Sequence, residues 1–555
     1  MEVDDHSALP TLAAIQSAQT PVLRHVPAVA RYTWCQVLTR ALAQVAHSND
    51  ERAWRELLML PQCILCAPPR GGRRHHKAAA AFTLDRLQRW QAGERLSLWD
   101  SRPAPRALGG PAPTADQRKA MAISLGKEGF DKKACAALQS QGLCPPSSEV
   151  LRALDALHPH GPAVIANPMH ELPLAGEIAP DLVAKCLWAF PLESAPGPSG
   201  LRVQHLKDAC VPGSSEGFLA QLSLVVNLLA QGRAPQPLAP VLAGAGLVAL
   251  PKPGGGVRPI AVGEILRRLT GKCLLQLVRA DARAHFWPAQ VGVAVPGGAE
   301  TAIHTVRAWT ARHAGSPAKV LVKLDFRKAF NCINRQVVLQ QAVAHFPSVA
   351  RWATWCYQQP THLQFGSHVF HSSSGVQQGD PLGPLLFSAA LQPLAAELKA
   401  QGLDIAVHYL DDGLLAGDLT AGQAALALVQ QRSASIGLDL NLAKCEVVVL
   451  HEHAVPALAA ALPDALLRRA DGSCKVSRNF EFLGAGIGDN AFIQSHTAER
   501  AATAGDLLDS IGELEDPQVA LRLLRACGAF ARMVHSMRCN PRAPMSWLST
   551  CLMAW

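Results

Sequence analysis

Apolar residues follow two rhythms along this chain. Through residues 1–160 they recur at helical spacing in an Ala-rich background, as in RYTWCQVLTRALAQVAH at 31–47, which predicts a mostly helical region. The stretch PPRGGRRHHK at 68–77 interrupts it as a basic loop. Residues 101–117 and 161–180, rich in Pro and Gly, read as connections. From about residue 190 short apolar runs alternate with helical patterns. GLVALPKP (246–253), KVLVKLDF (319–326) and THLQFGSHVFH (361–371) predict strands, and 405–416 predicts a hairpin. Helical spacing returns over 381–402, 420–436 and 497–538. Strands mixed with helices and an antiparallel hairpin predict an α+β or mixed α/β fold.

Bulk properties narrow this. A chain of 555 residues is too long for one simple core and predicts two to four domains or lobes. With 49% apolar and 17% charged residues it is expected to fold rather than remain disordered. A net charge of +9 permits a polyanionic partner without requiring one. The acidic opening MEVDDHSALP argues against a secretory leader, and the longest apolar run, PVLAGAGLVALP at 240–251, is bracketed by prolines and too short to span a bilayer. The 15 Cys follow no regular framework and read as reduced thiols. The expected setting is intracellular, nuclear or cytoplasmic, neither secreted nor in a membrane.

The chemistry concentrates in AVHYLDDGLLAGD at 406–418. Asp-Asp-Gly between apolar runs suits an ordinary hairpin turn, with the glycine taking a positive φ. It also suits a turn that aims Asp411 and Asp412 at one point, a costly pairing unless a hard divalent cation neutralises it. That second reading needs a third carboxylate on a neighbouring strand. Asp325, at the end of KVLVKLDF, is available, although Asp there is also a good helix N-cap.

Several blocks in order carry a resemblance. Asp325 with Ala329-Phe330, SGVQQGDPLGPLLF at 374–387 and YLDD at 409–412 resemble successive core motifs of reverse transcriptases, nearest to the non-LTR retrotransposon and group II intron-like type. SAPGPSGLRVQHL (194–206), LVALPKPGGGVRPIAV (247–262), QVGVAVPGGAETAIHTVRAW (290–309), GLDLNLAKCEVVV (437–449) and FLGAGIG (482–488) are similar to its other blocks. The resemblance implies an α+β right-hand polymerase, with fingers and palm over 166–490 and a helical thumb over 491–555. It leaves residues 1–165 as a helical N-terminal extension with a Pro/Gly linker. Endonuclease and ribonuclease H segments are not expected, and the nearness of the last residue to the thumb helices suggests a shortened or decayed element.

By the same resemblance, Asp325, Asp411 and Asp412 would hold two Mg²⁺ ions (Mn²⁺ as the alternative) for in-line phosphoryl transfer. Phe330 would be the gate that rejects a 2′-hydroxyl. Lys252, Arg258, Gln378, Gly379 and Lys444 would contact the nucleotide, and Tyr409 would pack under the primer end. Phe330 has a plainer reading as a core aromatic, Lys252 with Arg258 as a solvated basic turn, and Lys444 as an edge-strand lysine. The implied partners are an RNA template, a DNA primer and deoxynucleoside triphosphates, with no membrane. The activity implied is RNA-directed DNA polymerisation; the competing readings are a catalytically inactive, RNA-holding relative and an RNA-dependent RNA polymerase, the latter disfavoured by Phe330 and YLDD. Two positions depart from the family pattern, Ser199 and Asn331, where Asp is frequent. Cys63, Cys66, His75 and His76 lack the spacing of a zinc site. Cys527, His535 and Cys539 read as packing or surface residues of a thumb helix, and Trp34, Trp54, Trp90 and Trp99 as core anchors.

Overall fold

The computed structural model describes residues 9–68, 75–105, 109, 112–192, 194–252, 255–452, 455–528 and 530–540. The strands, in chain order, are β1 (Ala245–Pro251), β2 (Val257–Gly263), β3 (Lys319–Leu324), β4 (Thr361–Phe365), β5 (His368–Ser372), β6 (Ile405–Tyr409), β7 (Asp412–Asp418), β8 (Glu446–Val449), β9 (Phe480–Phe482) and β10 (Ala485–Ile487). Helices make up most of the rest, so the fold class is α+β, with a helical N-terminal region. The chain divides into two compact units, one from residues 1–110, 142–281 and 330–386, the other from 111–141, 282–329 and 387–555.

In the first unit the helices Arg31–Ser48 and Glu51–Ile64 bury Trp34 and Trp54 completely. Asp50 starts the second helix by accepting the Ala53 amide at 2.8 Å. Trp90 is buried as expected, whereas Trp99 is half-buried beneath the Arg102 guanidinium. The sheet has the order β2-β1-β4-β5. Its inner face packs Leu247, Val257, Leu363 and Phe365 against Val150 and Leu154 of the helix Ser148–Leu157. The stretch 361–371, read as one strand, is a hairpin, with Phe365 paired to His368. Gly366 reverses the chain at φ +60°, a backbone region that suits glycine.

In the second unit the sheet order is β6-β7-β3-β8, every pairing antiparallel. Leu321, Val407, Leu414 and Val448 form one core with Val306 and Trp309 from the helix Gly298–Arg312 and with Phe480 and Phe482. A second core joins Leu507, Ile511 and Leu523 of the C-terminal helices to Leu125, Phe130 and Leu138, far earlier in the chain.

The helical expectations over 31–47, 381–402 and 420–436 correspond to Arg31–Ser48, Gly383–Lys399 and Leu419–Ser433. The loop read at 68–77 is corrected at its end: residues 69–74 lie outside the described residues and a helix starts at His75. The connection read to 117 likewise gives way at Ala115, where Thr114 and Gln117 form a capping box. Among the described residues no helix is long and apolar enough to cross a membrane.

Candidate active site

Antiparallel pairing brings the three acids together in the second unit. Tyr409 pairs with Asp412, so Leu410 and Asp411 are the two-residue turn between β6 and β7. Leu324 pairs with Gly413, so Asp325, one residue on, lies beside Asp412. Side chains alternate along strands and paired residues share a face, which sets Tyr409, Asp412 and Asp325 on the same side of the sheet as Leu321 and Leu414. The positive φ expected at the glycine after the acids falls instead on Leu410, at +58°. Gly413 serves another purpose. A Cβ there would lie 3.0 Å from the His408 ring and 3.1 Å from Leu324 Cδ1.

Asp325 is fixed from behind. Asn441 donates its side-chain amide to Asp325 Oδ2 at 3.1 Å and its backbone N–H to Asp325 O at 2.8 Å. The Asp325 amide in turn donates to Cys445 Sγ at 3.3 Å. Asn441 and Cys445 belong to the GLDLNLAKCE block, whose resemblance drew notice to Lys444 alone. Lys444 is exposed at the turn before β8.

Electrostatics mark the cluster. Burial pushes the Asp411 carboxyl up to about 6, and the charges of Asp412 and Asp325 push the same way. Asp412 is also raised, by burial first, with Lys323 opposing and Asp325 adding. Lys323 is itself engaged by Glu446 at 2.8 Å and by the Glu481 carbonyl at 2.7 Å. Among the described residues no three His, Cys, Asp or Glu side chains already converge as metal ligands. The donor set nonetheless fits a hard divalent cation: oxygen ligands only, mutually repelling, with their nearest ammonium committed elsewhere. A cation would have to draw the carboxylates the last distance together. Tyr409 packs partly buried against the sheet core.

The remaining predicted residues lie in the first unit. Lys252 and Arg258 are both exposed on the β1–β2 hairpin, where Leu250 pairs with Arg258 and the Lys252 amide donates to Gly256 O at 3.1 Å. Pro253 and Gly254 of that turn lie outside the described residues. Phe330 begins the last segment of this unit in a single helical turn, Ala329–Cys332, and its carbonyl accepts the Val376 amide at 2.8 Å. Gly375, at φ +68°, allows that approach, since a Cβ would sit 2.2 Å from Phe330 O. Gln378 and Gly379 are exposed in the following turn, and Gln378 lines a cavity of about 20 Å³ with His158, Pro259, Asn331 and Gln377.

Two supports escaped the sequence reading. Arg267 Nη2 and the Tyr357 hydroxyl each donate to Asp380 Oδ2 at 2.8 Å, and Asp380 Oδ1 accepts the Leu382 amide at 3.0 Å. This buried network anchors the loop that displays Gln378. Burial opposes the Arg267 charge, but Asp380 outweighs it and holds the guanidinium protonated. Gln290 bonds the Leu410 backbone at both its N–H and its carbonyl. Cys63 and Cys66 are buried, and burial pushes the Cys63 thiol up to about 12. Cys539 is buried as well, and its thiol lies 3.6 Å from His535 Nδ1.

Residues 250–487 match the family described as reverse transcriptase (RNA-dependent DNA polymerase). The chain is similar to the retrotransposable element SLACS 132 kDa protein of Trypanosoma brucei gambiense, 28% identical over 212 residues, covering 37% of this chain and 17% of that protein. It is also similar to the retrovirus-related Pol polyprotein from type-1 retrotransposable element R2 of Popillia japonica, 27% identical over 220 residues, covering 37% of this chain and 29% of that one. The match thus spans less than a third of either relative. Among solved structures, a Candida albicans telomerase in complex with a fragment of telomeric RNA aligns over 93% of this chain and 88% of its own, at 10% identity and a TM-score of 0.35.

Proposed function

We propose that this chain carries, in residues 250–487, a reverse transcriptase of the non-LTR retrotransposon type and that it is an active RNA-directed DNA polymerase. On this reading it binds an RNA template, a DNA primer and deoxynucleoside triphosphates. The observation that carries the proposal is the strand register, which sets Asp325, just after β3, beside Asp412 and next to the Leu410–Asp411 turn. Such a cluster is unfavourable until a cation neutralises it.

Asp325, Asp411 and Asp412 would hold Mg²⁺, with Mn²⁺ as a substitute. When bound, the ions supply activation of the primer 3′-hydroxyl and charge neutralisation at the leaving pyrophosphate. Asn441 keeps the Asp325 carboxylate oriented through its bond to Oδ2. By its offset from Asp325, Phe330 would be the gate that excludes a 2′-hydroxyl. Lys252 and Arg258 offer cationic donors to the triphosphate, and the exposed Lys444 offers a proton near the leaving group. Gln378 and Gly379 contact the nucleotide from a loop that the Arg267–Asp380 pair holds in place. Tyr409 packs beneath the primer end.

The test is extension of oligo(dT) on poly(rA) with dTTP and Mg²⁺, comparing the chain with Asp411→Ala. Extension that disappears in the variant supports the polymerase. Tight RNA binding with no extension by either protein replaces it with an RNA-holding role.

A further inference from the structure

The turn that presents the acids is built against its own preference. Two-residue hairpin turns with a positive φ at the first position favour glycine there. This chain has Leu410 at φ +58°, and places its glycine at 413, where a Cβ would crowd the His408 ring at 3.0 Å. A left-handed leucine is sterically costly and persists only where its surroundings impose it.

The imposing group is Gln290, which is 1% exposed. Its Oε1 accepts the amides of Leu410 at 2.8 Å and Gly292 at 2.9 Å, and its Nε2 donates to Leu410 O at 3.0 Å. Flanking backbone bonds, Val291 N–H to His408 O and His408 N–H to Ala289 O, both 2.8 Å, lay this segment alongside β6. Gly292 permits the approach, because a Cβ there would meet Leu410 N at 2.7 Å. Only a side chain with both a donor and an acceptor on a two-methylene stem can grip both polar groups of one residue from this distance. Glutamate cannot donate, and asparagine is a methylene shorter.

We propose that Gln290 is a positioning residue for the reaction: it clamps Leu410 in the left-handed conformation that aims Asp411 and Asp412 toward Asp325. This rests on the polymerase reading above. It also gives the spacing of Gln290 and Gly292 a physical role, one residue to grip the turn and one to let it close.

Gln290→Met keeps the buried volume and removes all three bonds. Three measurements separate a positioning role from general support: primer extension with Mg²⁺, Mn²⁺ affinity by electron paramagnetic resonance, and hydrogen exchange of the Leu410 amide in the metal-free protein. Expected are a fall in kcat and in Mn²⁺ affinity of about 10–100-fold each, the range for residues that orient metal ligands. KM for dTTP should be unchanged and the Leu410 amide should exchange faster. Adding Leu410→Gly should restore part of both losses, because glycine holds a positive φ without a clamp. Should the single variant fail to fold, the double variant carries the same comparison with wild type, with residual losses expected in the same two quantities. Wild-type kcat and Mn²⁺ affinity in Gln290→Met, or a loss that Leu410→Gly does not relieve, would overturn the clamp. Extension by wild type that Asp411→Ala does not abolish would instead overturn the polymerase reading itself.

Discussion

Ser199 donates both its amide and its hydroxyl to Glu264, one to each carboxylate oxygen, at 2.7 Å apiece. Both residues are buried, and burial raises the Glu264 carboxyl while the Ser199 bonds pull it back down. The relationship explains the first departure from the family pattern. An acid at position 199 would lose the hydroxyl donor and set a second carboxylate against Glu264, with only the backbone amide still donating. Ser199→Asp is therefore expected to destabilise the protein by about 3–5 kcal/mol, as an uncompensated buried charge does. Ser199→Ala should cost about 1–3 kcal/mol. Urea denaturation midpoints check both, and an Asp variant as stable as wild type would refute the argument.

Asn331 is the second departure, with the same logic. Its Nδ2 donates to Leu157 O at 2.7 Å, tying the end of the helix Ser148–Leu157 to the helical turn that holds Phe330. An aspartate would set a carboxylate oxygen against that carbonyl. Asn331→Asp should lose about 1–3 kcal/mol, read as a lower melting temperature. It should also speed hydrogen exchange in residues 157–165, which Gln336 and Ser373 also hold.

The buried Arg267–Asp380 pair, each side chain 1% exposed, predicts strong asymmetry. Asp380→Asn or Arg267→Met alone leaves one charge unmatched inside the fold, at a cost of about 3–5 kcal/mol. The double variant should cost less than the sum of the singles. A thermal-denaturation double-mutant cycle measures the coupling, and additive losses would show the pair to be independent.

Asp411 sets a pH dependence in metal-free protein. Its carboxyl titrates at about 6 when folded against an ordinary 3.8, so the folded state binds its proton more tightly than the unfolded state does. The resulting stability is complete below about pH 4 and is lost as the pH rises through about 6. At neutral pH the ionised group costs about 2 kcal/mol, after discounting for partial solvent screening. Asp411→Asn should raise stability at neutral pH by that amount in chelator and leave it nearly unchanged below about pH 4. Mg²⁺ should stabilise wild type and not the variant, as followed by thermal melts.

Phe330 carries the prediction on nucleotide choice. Phe330→Val should lower discrimination against ribonucleotides, measured as the ratio of kcat/KM for dTTP over UTP, by about 10–200-fold, the scale of a steric pocket contact. Unchanged discrimination would reduce Phe330 to a packing residue.

Much of this protein is legible in the chain itself. The apolar runs in 319–326 and 405–416 mark strands, and the central pair is buried on both faces, with Leu321 and Leu414 on one and Val322 and Leu415 on the other. The order and spacing of the blocks carry the resemblance to reverse transcriptases and single out Asp325, Asp411 and Asp412 as candidates. Local patterns could not show that Leu410 takes the left-handed backbone, because the clamp that imposes it is 120 residues away. Nor could they reveal that Ser199 and Asn331 are hydrogen-bond donors to Glu264 and Leu157, or that residues 115–138 share a core with Leu507 and Leu523. Hydrophobic period is a property of neighbours along the chain. The partner of a buried polar group is chosen by proximity in space, and only the folded arrangement decides which distant residue must satisfy it.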